Sequence, residues 1–233
     1  MERIDIIEKL MHFNLSRQEA LVYSCLWEYG QLTGYEASKL TGISRSNVYG
    51  ILNVLVEKGA AVITEANTIL YSAVEPEEFF YNKLRHLEEE KKYLLDNMPK
   101  AKKETEGYIT ICGSNHIKDK IHNMIINCEM RLYLAADEKI IQEFENELRM
   151  AKNKGLKIVL MCNRNYAELA TQFYYDNLET GQVRLITDSA YVLTGELQGK
   201  RSDTCLYSGQ KNLVTIMKEA LKNKIRLLEM ESI

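Results

Sequence analysis

The sequence predicts an α+β protein with two domains, an N-terminal winged helix-turn-helix and a C-terminal α/β domain, joined by a coiled-coil linker helix. Three observations support this prediction. Short helical patterns separated by Gly30, Gly42 and Gly59 fill the first part of the chain. A stretch at 77–98 then repeats apolar residues at spacings of four and three, and from Tyr108 onward strand and helix patterns alternate. The expected boundaries are 1–75, 76–99 and 107–233.

Composition and charge place the chain among ordinary globular proteins. Its 233 residues are 45% hydrophobic and 27% charged, and the formal net charge is −3. No run of about 18 apolar residues is present, so we expect no membrane span. The N-terminus lacks the apolar core of a signal peptide, which predicts a cytoplasmic protein.

The five cysteines predict buried free thiols. Cys25, Cys112, Cys128, Cys162 and Cys205 form no Cys-x-x-Cys pair, and the four histidines are not near them at metal-ligand spacing. No glycine-rich phosphate loop is present either. We therefore expect no metal and no cofactor.

The first helices are predicted from their apolar spacing and their starting residues. Residues 2–12 form one amphipathic helix, whose predicted apolar face is Ile4, Ile6, Ile7, Leu10 and Met11. Ser16 with Glu19, and Thr33 with Glu36, fit capping boxes at the next two helix starts. The helix after Ser16 is expected to bury Ala20, Tyr23, Leu26 and Trp27.

A further helix is predicted from Ser44, as its N-cap, to Lys58, with Gly59 ending it. Its core side is expected to be Val48, Ile51, Leu52 and Leu55. Its exposed polar and basic side chains are expected to be Ser44, Arg45, Ser46, Asn47, Tyr49 and Asn53. Arginine can bond guanine and asparagine can bond adenine through two hydrogen bonds, so this face suits a DNA major groove. Strands at 60–65 and 68–74 then form a hairpin, the wing.

Thr33, Tyr35 and Lys39, at the start of the preceding helix and along it, complete the predicted DNA-binding set. No acidic residue occurs from Ala37 to Val56, but residues 1–75 hold nine acidic and six basic side chains. This balance opposes tight phosphate binding by one copy, and a dimer would double the contacts. The alternative is a winged helix that binds protein and not DNA.

The linker helix predicts a homodimer. Its repeating positions are Phe80, Leu84, Leu87, Lys91, Leu94 and Met98, with charged residues between them. The alternative is a helix that packs only within its own chain.

The second domain predicts an α/β layer fold with a largely parallel sheet. The predicted strands are 108–112, 131–135, 156–162, 183–187, 190–194 and 204–207. The predicted helices are 117–127, 138–154, 167–178 and 211–230. Ligands of open α/β sheets bind beyond the carboxyl ends of the strands. The candidate effector-binding residues are therefore Ser114, Asn115, Asn163, Arg164 and Asp188, with ordinary helix caps as the alternative.

Three motifs resemble the TrmB family of sugar-sensing and related transcriptional regulators. They are Leu15-Ser16-x-x-Glu19-Ala20-x-x-Tyr23, Gly42-Ile43-Ser44-Arg45-Ser46-Asn47-Val48-Tyr49 and Leu52-x-x-Leu55-x-x-Lys58-Gly59. Segments 113–121, 129–134 and 148–158 are similar to the family's effector domain. The resemblance implies a dimeric, DNA-binding regulator with a sugar as one possible effector.

The family's effector domain in turn resembles half of a phospholipase D fold, so a phosphodiesterase must be considered. That motif needs His-x-Lys followed by Asp, because the histidine attacks phosphorus and the lysine holds the phosphate. After His116 and Lys118 the Asp position is Asn123, and before Asp188 the His and Lys positions are Gly181 and Val183. We therefore expect a non-catalytic domain.

Overall fold

The structure, a computed structural model, describes residues 2–65, 68–99 and 107–231. The chain divides into two compact units, Met1–Lys100 and Ala101–Ile233. Two predicted features, the turn of the hairpin at Ala66 and Asn67 and the polar run at 100–106, lie outside the described residues. None of the helices in the described ranges is long and apolar enough to cross a membrane.

The N-terminal unit contains the predicted helices and hairpin in the predicted order. Its elements are α1 (Glu2–Met11), α2 (Arg17–Tyr29), α3 (Gly34–Thr41), α4 (Arg45–Glu57), β1 (Ala61–Glu65), β2 (Ile69–Ala73) and α5 (Pro76–Asn97). Both capping boxes form, at Ser16 with Glu19 and at Thr33 with Glu36. Gly42 ends α3 in the left-handed region, with φ of 71°, which costs glycine little.

The core of this unit is built where the helices cross and extends to the hairpin. Val48, Leu52 and Leu55 of α4 are fully buried, whereas Ile51 is only half-buried. The segment between α2 and α3 pairs with the hairpin, because the N–H and C=O of Leu32 both bond to Tyr71. These two hydrogen bonds attach the hairpin to the segment between α2 and α3.

Ser44 occupies the N-cap position of α4 as predicted, but its side chain makes no capping hydrogen bond, and its Oγ lies 3.3 Å from the Oγ of Ser46. The prediction that Trp27 is buried is wrong, since it is 52% exposed. On the apolar face of α1, Ile4, Ile6 and Met11 are each at least 43% exposed. Helix α1 packs mainly against α2, so α2 buries the side of α1 that carries Ile7 and Leu10 and leaves its other apolar residues exposed.

Helix α5 belongs to this core only at its start. Phe79 is 1% exposed and packs with its ring centroid 5.5 Å from that of Tyr23, whose hydroxyl donates to the carbonyl of Val74. Phe80 packs 4.5 Å from Phe13. The later apolar positions of the predicted repeat are exposed within the chain, namely Leu84, Leu87, Leu94 and Met98.

The C-terminal unit is one seven-stranded sheet with helices on both faces. Its elements are β3 (Ile109–Cys112), α6 (Ser114–Ile126), β4 (Arg131–Ala136), α7 (Glu138–Glu143), α8 (Glu145–Asn153), β5 (Lys157–Cys162), β6 (Gln172–Tyr175), β7 (Gln182–Thr187), β8 (Tyr191–Glu196), β9 (Thr204–Ser208) and α9 (Lys211–Glu231). The strand order is β3-β9-β8-β7-β4-β5-β6.

The expected largely parallel sheet is wrong. Only the β4–β5 and β5–β6 pairs are parallel, and the other four pairs are antiparallel. Short connections explain two of the four antiparallel pairs, because β7 and β8 are joined by three residues and β8 and β9 by seven. Such links suit antiparallel neighbours, whereas parallel neighbours need a longer crossover.

Two predicted helices of this unit differ from the structure. The helix predicted at 167–178 is wrong, since Ala167–Leu169 forms a single 3₁₀ turn and Gln172–Tyr175 is strand β6. Three consecutive aromatic residues favour the strand once a sheet edge is available. The helix predicted at 138–154 is broken at Phe144, which is 3% exposed and has φ of −107°.

The two faces of the sheet are covered unequally. Helices α6, α7 and α8 bury a large core on one face, including Ile117, Ile121, Leu132, Leu134, Leu148 and Leu160. Helix α9 covers the other face through a small cluster of Ile186, Val192 and Val214. Four cysteines are buried as predicted, but Cys112 is exposed on the edge strand β3.

Candidate nucleic-acid interface

The outer face of α4 carries the predicted polar side chains. Ser44, Arg45, Ser46, Asn47, Tyr49 and Asn53 are all exposed. Val48 and Leu52 anchor the opposite side of the helix in the core, with no exposed area. Residues three, four and seven apart share a helix face. Burial of the inner side of α4 therefore leaves the polar side chains together on the face that is exposed to solvent.

Arg45 is held by a neighbour from α3. Its guanidinium carbon lies 4.0 Å above the centre of the Tyr35 ring, a cation–π contact. No carboxylate of the described residues lies within ion-pair distance of it. The guanidinium is therefore oriented by an aromatic face while its N–H groups remain available to an acceptor outside the chain.

Tyr49 rests against Gly34, a residue that no sequence pattern had singled out. A Cβ added to Gly34 would lie 2.4 Å from the nearest ring carbon of Tyr49, far inside van der Waals contact. Gly34 therefore allows the ring to lie against the start of α3, where it is 46% exposed. A glycine directly after the capping residue Thr33 was the available signal, since a helix rarely benefits from glycine there.

Thr33 and Lys39 have different surroundings. The Thr33 hydroxyl accepts the backbone N–H of Glu36 and donates to its carboxylate, so it acts as a cap. The N–H and hydroxyl of Thr33 lower the pKa of Glu36. Lys39 is exposed on α3 and has no ion pair among residues 2–65 and 68–99. Lys39 and Arg45 are thus the two cations of this surface.

A partly buried ion pair joins the end of α4 to the start of α2. The Lys58 Nζ lies 2.6 Å from the Glu19 carboxylate and donates to the carbonyl of Asn14 at 2.7 Å. Burial alone would raise the pKa of Glu19, but hydrogen bonds from Lys58 and Ser16 outweigh it and the pKa is lowered. Glu19 of the first TrmB-like motif thus contacts Lys58 of the third, a contact that the spacing of the motifs did not predict.

The candidate effector residues do not form one site. Asn163 and Arg164 follow β5, and Ser114 and Asn115 follow β3, five positions away across the sheet. At about 4.8 Å per strand this separation is roughly 24 Å. Asp188 lies at the opposite edge, because β7 runs antiparallel to β4. The expectation of one polar cluster came from assuming a parallel sheet.

Several of these side chains are already used within the chain. Asp188 accepts the backbone N–H groups of Glu129, Met130 and Arg131 at 2.7–3.0 Å. Asn163 accepts the N–H of Glu138, and Arg164 forms an ion pair with the Glu138 side chain. These contacts match the alternative interpretation, in which strand-end polar residues stabilise turns and helix starts.

The residues of the phosphodiesterase motif are also apart. Lys118 pairs with Glu143 at 2.5 Å, and His116 is exposed at the start of α6. That helix follows the carboxyl end of β3, whereas Asp188 is at the other edge of the sheet. The described ranges also hold no group of three His, Cys, Asp or Glu residues arranged for a metal ion.

Comparison with protein families gives a match that lies within the N-terminal unit. Residues 10–77 match the family model described as "Sugar-specific transcriptional regulator TrmB". The uncharacterized protein YrhO of Bacillus subtilis (strain 168) is 25% identical over 173 residues, which are 72% of this chain and 62% of that protein. The aligned stretch thus covers less than two thirds of YrhO.

A named regulator and a solved structure are also similar. The DNA-binding HTH-type transcriptional repressor TrmBL2 of Thermococcus kodakarensis (strain ATCC BAA-918 / JCM 12380 / KOD1) is 25% identical over 171 residues, 66% of this chain and 65% of that protein. The solved structure of TrmBL2, described as an archaeal chromatin protein with a novel mode of DNA binding, is 20% identical. It covers 97% of this chain and 99% of that chain, with a TM-score of 0.45.

Proposed function

Residues 10–77 form a TrmB-family domain, and on this premise we propose that the chain is a DNA-binding transcriptional regulator with α4 as its recognition helix. The observation that carries the proposal is Arg45, exposed on α4, stacked on Tyr35 and free of carboxylate partners among the described residues. Arg45 and Asn47 would read base edges, and Ser44, Ser46, Tyr49 and Asn53 would supply further contacts. Thr33, Tyr35 and Lys39 would complete the surface near the phosphates.

The test is binding of the full chain to the DNA upstream of its own reading frame. Fluorescence anisotropy at two salt concentrations, with random DNA of equal length as control, separates specific from nonspecific affinity. The proposal expects tighter binding to the upstream DNA that weakens with salt. Equal affinity for both DNAs, or no binding at either salt concentration, would contradict it.

We further propose that the regulator is a homodimer paired through residues 77–98. The exposed side chains of Leu84, Leu87, Leu94 and Met98 support this, since their spacing suits a coiled coil. Pairing would also double the cations facing DNA, which offsets the acidic balance of residues 1–75. The operator would then be pseudo-palindromic, with half-sites about 10 base pairs apart or a multiple of this.

Two lysine substitutions test the pairing. Leu87→Lys places a charge within the proposed seam, and Leu95→Lys places one at an exposed apolar residue outside it, 72% exposed. Sedimentation should show a dimer for the parent chain and for Leu95→Lys, and a monomer for Leu87→Lys. If the Leu87→Lys variant is still a dimer, the dimer interface does not run through Leu87 and the proposed pairing is wrong.

The C-terminal unit is proposed to be a non-catalytic sensing domain. The separation of His116 and Lys118 from Asp188 supports the absence of catalysis. Sugars are candidate effectors only through the family description, and the match to that family covers residues 10–77 and not this unit. An effector must bind two poses of the dimer unequally to change DNA affinity.

A second candidate function is a winged helix that binds protein. Nine acidic against six basic side chains in residues 1–75 favour it. The anisotropy experiment distinguishes the two, because a protein-binding module would show no salt-dependent DNA affinity.

A further inference from the structure

A cavity of about 330 Å³ lies between α9 and the sheet of the C-terminal unit. Its floor contains one row of residues that the register places side by side across four strands. The row is Met161 of β5, Ala135 of β4, Arg184 of β7 and Thr194 of β8. Side chains paired across a sheet share a face, so Arg184 is the charged member of a row that is otherwise apolar or carries one hydroxyl.

Polar contacts near its two ends attach α9 to the rest of the C-terminal unit. Asn212 accepts the hydroxyl of Tyr108 at 3.1 Å near the start of the helix. Lys224 pairs with Asp176 at 2.9 Å, and Glu229 accepts the hydroxyl of Tyr174 at 3.0 Å, near the other end. Between these contacts the cavity is lined by Ala220, an exposed residue of α9 whose methyl group occupies little space.

The charges around the cavity leave one cation without an anionic partner. Asp176 is 6% exposed and is satisfied by Lys224. Arg184 donates only to the side-chain oxygen of Gln182, at 3.2 Å, and no carboxylate in the described ranges lies within ion-pair distance of it. The nearest acidic residue in register, Glu196, is opposite Gln182 and accepts from Gln198.

The geometry points to a binding site for a small apolar monocarboxylate. Its apolar body would lie between Met161 and Ala135 on the floor and the apolar side chains of α9, namely Met217 and Leu221. Its carboxylate would accept paired hydrogen bonds from the exposed guanidinium of Arg184, the strongest geometry for this anion. The volume is in the range of small-molecule sites, which are mostly apolar with few polar groups. The side chains of Met161, Ala135, Met217 and Leu221 would offer no partner to sugar hydroxyls placed against them.

This site gives the sensing domain a location that differs from the ends of the strands. The ligand would contact both α9 and the sheet, so its binding would favour one position of the helix over others. The regulatory consequence, a change of operator affinity, rests on the proposed function. The binding itself does not.

Calorimetry on the full chain tests the site, with octanoate and 3-phenylpropanoate as probes. Octanol, octylamine and glucose are the controls, because the first two keep an apolar body and lack the carboxylate. We expect saturable binding of at least one carboxylate, with octanol and octylamine about tenfold weaker or more. Absence of saturable binding by both carboxylates, or equal binding of octanol, would overturn the proposal.

Three variants locate the bound probe. Arg184→Gln should weaken carboxylate binding about tenfold or more, whereas Lys222→Gln, on the exposed side of α9, should not change it. Ala220→Leu fills the cavity and should abolish binding while the melting temperature is kept or raised. Unchanged affinity in both Arg184→Gln and Ala220→Leu would place the probe elsewhere and overturn the assignment.

A separate measurement addresses regulation. Operator anisotropy with and without the bound probe should differ, and the difference should vanish in Arg184→Gln. If the chain binds no operator at all, the proposed function fails while the calorimetric result on the cavity stands. If carboxylates fail to bind but the operator is recognised, only the cavity assignment fails.

Discussion

At the scale of single residues, the exposed face of α4 depends on two residues of α3. Tyr35 orients the guanidinium of Arg45, and Gly34 makes room for the ring of Tyr49. An aromatic support limits the conformations of an arginine before it meets DNA, which lowers the entropy cost of binding. The proposed recognition surface is therefore shared by two helices.

The first prediction concerns Arg45. Arg45→Ala should weaken specific DNA binding by about 1–3 kcal/mol and relax preference at one base position, because a base contact is lost. Lys39→Ala is the matched control, and it should weaken specific and random DNA alike and reduce the salt dependence. Both are measured by anisotropy. Equal losses on the two DNAs for Arg45→Ala would show that Arg45 contacts phosphate only.

The second prediction compares two glycines. Gly34→Ala should stabilise the chain less than Gly50→Ala, or lower the free energy of unfolding by up to about 1 kcal/mol, because its Cβ would lie 2.4 Å from the exposed ring of Tyr49, which must turn away. Gly50→Ala, in the middle of α4 with nothing within 4 Å of the added Cβ, should instead raise it by about 0.5–1 kcal/mol. Denaturant unfolding measures both. The addition of Tyr49→Ala to Gly34→Ala should restore stability, and no restoration would refute the proposed collision.

The third prediction concerns thiols. Burial raises the pKa of Cys205 to about 11, and burial together with Asp188 raises that of Cys128 to about 11. Buried thiols of high pKa react slowly, because the thiolate is the reactive form. A thiol reagent at pH 8 should therefore modify Cys112 quickly and the other four cysteines only after unfolding. Cys112→Ser should remove the fast phase, and its persistence would contradict the packing described.

At the scale of elements, the helices of the N-terminal unit are joined by the Lys58–Glu19 contact. Glu19 caps the start of α2 and also receives Lys58 from the end of α4. One carboxylate thus stabilises the start of α2 and binds a lysine 39 residues later in the chain. A charged hydrogen bond of this kind contributes about 1.5–3 kcal/mol.

The fourth prediction is the pH dependence of this contact. The folded pKa of Glu19 is lowered, so its contribution is present above the unfolded pKa and is lost as pH falls through the folded value. Glu19→Gln should therefore destabilise the chain at pH 7, and the difference from the parent should shrink in acid. Unfolding at a series of pH values measures it. Glu57→Gln, at an exposed position at the end of α4, is the control. An equal loss of stability in Glu57→Gln would show that the contact of Glu19 with Lys58 is not the cause of the pH dependence.

For single elements, the sequence predicts helix starts better than it predicts which strands pair and which helix faces are buried. Both capping boxes formed, because a cap involves residues three apart and needs no distant contact. The helix predicted at 167–178 failed, because Phe173 to Tyr175 suit a strand when β5 offers an edge. Trp27 was expected in the core, but a helix pattern does not reveal how much of a face its neighbours cover.

At the scale of the whole molecule, each unit can be described by what its core leaves exposed. The N-terminal unit leaves the polar face of α4 and most of α5 exposed, which supports DNA binding and pairing. The C-terminal unit covers one face of its sheet densely and the other only through α9. A thinly covered face holds the cavity on which the carboxylate proposal rests.

Spacing and local hydrogen bonds were enough to predict the two-domain organisation, the order of the N-terminal elements and the polar character of α4. The directions of the strands, the scattering of Ser114, Asn163 and Asp188, and the supports beneath Arg45 and Tyr49 depend on tertiary contacts. Strand direction and register depend on contacts between residues far apart in the chain. No periodicity encodes them locally, so the location of the cavity beneath α9 became visible only once the sheet was assembled.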